Sequence, residues 1–142
     1  MNKSFLLSGL LATVVNLVLH AVAFTVVLND VYRTHPAVSA EFQAQLSRPM
    51  EEMIVWAMIA TSIAMGFLIA LVMKWSGART FPQGVKQGGL FAFLFWSAVN
   101  FGLYSSSNHF STVAVFADLI SSSLIMTIAA ACAAWVLGRT NG

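Results

Sequence analysis

The stretch MIVWAMIATSIAMGFLIALVM, Met53 to Met73, holds no charged residue and is bounded by Glu51 and Glu52 on one side and Lys74 on the other. Crossing a hydrocarbon core as a helix takes about 20 mainly apolar residues, so this segment reads as a membrane span. Three more segments read the same way. Phe5 to Leu28 is uncharged, with only Ser8, Thr13, Asn16, His20 and Thr25 as polar side chains. Gln87 to Tyr104 is the shortest and takes Gly88 and Gly89 at its start, and Thr112 to Leu137 carries one charge, Asp118. The expected fold is all-α: a four-helix integral membrane bundle forming one domain over residues 1–142. Its spans run over about 5–28, 53–73, 87–104 and 112–137, with a loop at 29–52. The alternating polarity of a transmembrane β-barrel is absent.

Composition agrees. Hydrophobic residues make up 58% of the chain and charged ones 8%, with mean hydropathy +0.81, against about 25% charged residues in a soluble domain. A net charge of +2 is no phosphate-binding surface, which excludes nucleic acid as a partner, and a single Cys forms no internal disulfide.

Lys and Arg set the expected orientation. Lys3, Lys74, Arg79, Lys86 and Arg139 fall on one side of the spans, while Arg33 and Arg48 on the other side are outweighed by Asp30, Glu41, Glu51 and Glu52. Both termini should therefore face the cytoplasm. Lys3, the apolar run and Ala21-Val22-Ala23 also resemble a cleavable secretory signal, but the run continues to Leu28, which favours a span. In the 29–52 loop, Pro36 should open a short helix bearing the stripe Val38, Phe42 and Leu46, and Pro49, Glu51 and Glu52 should form the first turn of the second span.

Helices in lipid associate through close backbone approach, so small residues four apart mark contact faces. Such rows are Ser8, Ala12, Asn16 and His20; Ser62, Gly66 and Ala70; Gly84, Gly88 and Ala92; and Ala129 with Ala133. Four rows exceed what one small bundle needs, which points to a homo-oligomer or a partner membrane protein besides the lipid bilayer.

Ionisable groups inside spans are costly and face the bundle interior. At about 1.5 Å per residue, His20 and Asp118 lie at similar depths, roughly 12 Å and 9–10 Å from the ends of their spans. Asn100, Thr61 and Ser62 lie at comparable levels. Helical spacing puts Asn16 with His20, Ser97 with Asn100, and Asp118 with Ser121 and Ser122 on shared faces. One interior polar cluster is the expectation, with His20 and Asp118 as direct or water-bridged neighbours. It would serve as a register-fixing network, a ligand or proton site, or a partner contact.

No metal site is expected, because His20, His35, His109 and Cys132 show no zinc-ligand spacing. No cofactor is expected either; a haem or chlorin on His20 would need a second histidine from another copy of the chain.

Gly77-x-Arg79, Gly84 and Gly88-Gly89 leading into the third span, followed by Asn100 and Asp118, resemble a group of uncharacterised four-span bacterial inner-membrane proteins. That resemblance implies a multi-pass protein of the bacterial inner membrane and no known activity. Small multidrug transporters share the size and span number, but they centre on a Glu in span one, where this chain has no carboxylate. The expected function is a non-enzymatic membrane subunit or scaffold. The alternatives are a proton-linked transporter or channel using Asp118 and His20, and a haem- or chlorin-binding protein.

Overall fold

A computed structural model describes residues 3–139. The described residues are helical without strands: α1 Lys3–Ala23, a π-helical turn Phe24–Leu28, α2 Asn29–Thr34, α3 Ala40–Leu46, a 3-10 turn Met50–Glu52, α4 Val55–Trp75, α5 Phe81–Ser106 and α6 Thr112–Arg139. The expected all-helical class holds, and four helices are long and apolar enough to cross a membrane. The first of these runs without a break from Lys3 to Thr34.

Local chemistry moves several expected boundaries. Thr80 Oγ1 accepts a hydrogen bond from the Gln83 amide (3.4 Å), and Gln83 Oε1 accepts one from the Arg79 amide (2.9 Å). This reciprocal cap, with Pro82 in the first turn, starts α5 at Phe81 and not at Gln87. Ser39 caps α3 by accepting from the Phe42 amide at 3.3 Å, so that helix opens at Ala40, not Pro36. Pro49 and the two glutamates do not begin the second span; Met50–Glu52 is a separate 3-10 turn and α4 starts at Val55. Gly77, at φ 74°, closes the α4 to α5 connection in the left-handed region that costs glycine least.

The termini side, here the proximal end, gathers Lys3, the 76–80 turn and Arg139, while the distal end holds α3 and the 107–111 turn. α6 is the central helix. It packs on α1, α4 and α5, α1 also packs along α4, and α5 meets α4 only sparingly. Ala129, Ala130, Ala133 and Ala134 of α6 are wholly buried, in one core with Ala12, Ile69, Met73, Ala92 and Met126.

Much of each small-residue row is buried within this one chain. Ser8, Ala12, Gly66, Ala70, Gly84, Gly88 and Ala92 are all buried. A Cβ on Gly84 would sit 2.6 Å from Ala131 Cα, one on Gly66 would clash with the side chain and backbone of Thr13, and one on Gly88 would clash with Ala130. Ser8 Oγ donates to the Ala133 carbonyl at 3.2 Å. Packing loosens at the distal end, where Val55, Trp56, Met58, Ile59 and Ile63 of α4 are exposed.

Candidate functional site

The polar groups of the distal half meet because the first long helix changes pitch. Twelve residues of α-helix, at about 100° each, would carry Tyr32 about 120° round from His20; the extra residue of a π turn removes about 100° of that. The Phe24–Leu28 turn therefore brings Tyr32 back toward the His20 face, and its ring lies 6.5 Å from Phe24. From there Tyr32 OH donates to Asp118 Oδ1 at 3.3 Å. Ser122, one turn further along α6, donates to the same oxygen at 3.4 Å. Among the described residues Asp118 Oδ2 accepts no hydrogen bond, and no Lys, Arg or His forms an ion pair with the carboxylate.

The expected direct contact between His20 and Asp118 is not made. His20 Nδ1 lies 2.9 Å from the Asn16 carbonyl, which it can meet only as a donor, and in a neutral ring this leaves Nε2 an acceptor. That Nε2 is buried without a partner in the protein. The ring faces Trp96 at 5.9 Å between centroids. Trp96 thus stands beside His20 and also lines the cavity that reaches Asp118. No direct hydrogen bond or ion pair therefore joins His20 to Asp118, although Trp96 touches on both their surroundings.

Two cavities occupy the distal end. The larger, about 690 Å³, lies between the π turn, α2, α3 and residues 109–111, with Phe24, Arg33, Val38 and His109 in its wall. The smaller, about 200 Å³, is lined by Tyr32, Trp96, Asn100, Phe110 and Asp118, among others. Tyr32, Phe110 and Ala114 line both, so the two cavities adjoin, and Asp118 lies in the wall of the smaller. Two contacts hold the roof together: Ser111 Oγ donates to the His35 carbonyl at 2.7 Å, and Phe42 stacks on His109 at 6.1 Å.

Other polar atoms nearby lack partners. Asn16 Oδ1, Trp96 Nε1, Ser97 Oγ and Ser123 Oγ are buried and unbonded within the protein. Each such group costs about 1–3 kcal/mol, which water or a polar ligand relieves.

Of the expected cluster, Asp118, Asn100 and Ser122 come together, with Asn100 Nδ2 donating to the Trp96 carbonyl at 3.1 Å. Asn16 and His20 do not line the smaller cavity; His20 bonds to the Asn16 carbonyl and its ring lies against Trp96. Thr61 is exposed, Ser62 bonds only back to Met58 of its own helix, and Ser121 only to Ala117. The sequence reading omitted Tyr32, which it placed in a loop, and Phe110. For Trp96 the usable signal is a tryptophan placed within a span and not at its ends.

Among the described residues no group of three or more His, Cys, Asp and Glu side chains is arranged to hold a metal. No family model, curated protein or solved structure matches the chain.

Proposed function

We propose that this chain is a non-enzymatic, four-span protein of a bacterial inner membrane, whose distal half binds a small ligand arriving from the extracytoplasmic side. The observation that carries the reading is the pair of adjoining cavities, the smaller with Asp118 in its wall. Lys3, Lys74, Arg79, Lys86 and Arg139 gather at the proximal end, which by the positive-inside tendency faces the cytoplasm and turns the cavities outward. Trp56 at one end and Trp75 and Trp135 at the other are exposed, as side chains of the two interfacial belts would be. A proton-linked transporter using Asp118 and His20 is less well supported, since glycine and alanine contacts fill the proximal half on the cytoplasmic side of Asp118.

Single cysteines in a Cys132→Ser background test the topology and the cavity together. Ala37→Cys and Ala114→Cys should react in intact cells with a membrane-impermeant maleimide, and a cysteine added after residue 142 should react only after lysis. Labelling of the tail in intact cells, or protection of both cavity positions, overturns the proposal.

A further inference from the structure

We propose that the adjoining cavities take a small amphiphilic organic cation, a protonated amine or quaternary ammonium. The charged head sits at Asp118 and the apolar body extends toward Phe24 and Val38. This rests on the outward-facing cavity proposed above and names its ligand class.

The wall chemistry selects the charge. Asp118 is the only charged residue lining the smaller cavity, and three of its neighbours there are the aromatics Tyr32, Trp96 and Phe110. Aromatic faces attract a cation within about 6 Å of the ring, and such cages with a carboxylate are a general solution for organic ammonium groups. The carboxylate is prepared for it. Both Tyr32 OH and Ser122 Oγ donate to Oδ1, so they hold the group in place while Oδ2 takes no donor from the protein. A carboxylate at membrane depth, uncompensated by any basic side chain, is costly, and a ligand of opposite sign supplies the missing partner.

The alternatives fit less well. An anion would meet Asp118 with no basic residue in the smaller cavity. An inorganic divalent ion would find one carboxylate, with Asn100 and Tyr32 as the other side-chain oxygens in an otherwise apolar wall, where such ions take about six or more oxygen ligands. Beyond the site, the distal end carries Arg33 and Arg48 against Asp30, Glu41, Glu51 and Glu52, a balance that draws cations inward. Arg33 and His35 line the larger cavity but are exposed, where water and salt screen them.

The test is calorimetric titration of the whole chain in a non-ionic detergent with benzyltrimethylammonium, and with benzenesulfonate as an anion of similar shape. The expected result is saturable binding of the cation, none of the anion, and at least a tenfold loss of cation affinity in Asp118→Asn. Trp96→Leu should also weaken the cation several-fold, which provides a second reading should Asp118→Asn fold poorly. Equal binding of cation and anion, or undiminished cation binding in both variants, overturns the proposal, as does absence of cation binding. Maleimide labelling at Ala114→Cys separates the two levels. If that position still reacts from outside, only the ligand class falls; if it is protected together with Ala37→Cys, the outward cavity falls as well.

Discussion

The two halves of this bundle are built on opposite principles. In the proximal half, glycine, alanine and serine let backbones touch, as at Gly84 against Ala131 and Ser8 against Ala133, and little but small side chains and Ile69, Met73, Met126 and Leu137 fill the centre. In the distal half, large aromatic rings and polar groups hold the helices apart around two cavities. For helices in lipid close packing would be the main source of cohesion, so the proximal contacts are expected to carry most of the stability. Unpaired buried polar atoms occur in both halves, Gln87 Oε1 in the proximal one and Trp96 Nε1 and Ser97 Oγ further along the same helix, and the cost of the latter makes sense where a ligand or water meets them.

The comparison breaks most readily at the glycine contacts. Gly66→Leu and Gly84→Leu should abolish the folded protein in detergent or lower its melting temperature by many degrees. Even Gly66→Ala should cost about 1–3 kcal/mol, as overpacking does. Thermal unfolding of each variant checks this, and wild-type stability in Gly84→Leu would show that the proximal contacts are not what holds the helices.

A smaller effect is expected from the polar groups. Since Trp96 stands beside His20 and no bond joins His20 to Asp118, the stability losses of His20→Ala and Asp118→Asn should add to within about 0.5 kcal/mol in the double variant. A coupling above about 1 kcal/mol in denaturant titration would restore a direct or water-bridged pair.

Single interactions come next. Ser8→Ala removes the bond to Ala133 and should cost about 0.6 kcal/mol, the usual worth of an interhelical hydrogen bond in a membrane protein. Gly102 in α5 has nothing within 4 Å of where a Cβ would lie. Gly102→Ala should therefore be neutral or stabilising by up to about 1 kcal/mol, the reverse of Gly66→Ala. A loss at Gly102 as large as at Gly66 would erase the distinction between the halves.

Much of the fold was legible from hydropathy alone because length and apolarity are local properties. Four helices long and apolar enough to cross a membrane, the helical class and the contact role of Gly66, Gly84 and Gly88 follow from composition and four-residue spacing. Helix ends were less legible: Thr80, Gln83 and Ser39 carry readable capping signals, but a search for uncharged runs passes over them. The site was half legible. The grouping of Asp118, Asn100 and Ser122 was legible from their depth and spacing, whereas the structure makes no direct bond between Asp118 and His20.

By itself, then, the sequence determined the four long helical segments, their capacity to cross a membrane, and which small residues let them touch, since each depends on side chains a few positions apart. Only the tertiary structure decided which partner Asp118 receives. That outcome depends on the rotation of each helix about its own axis. Here one π turn swings Tyr32 toward α6, and the Trp96 ring stands beside His20 while lining the cavity at Asp118. A pitch change over five residues leaves no periodic mark in the sequence, because its effect appears only where two distant helices face each other.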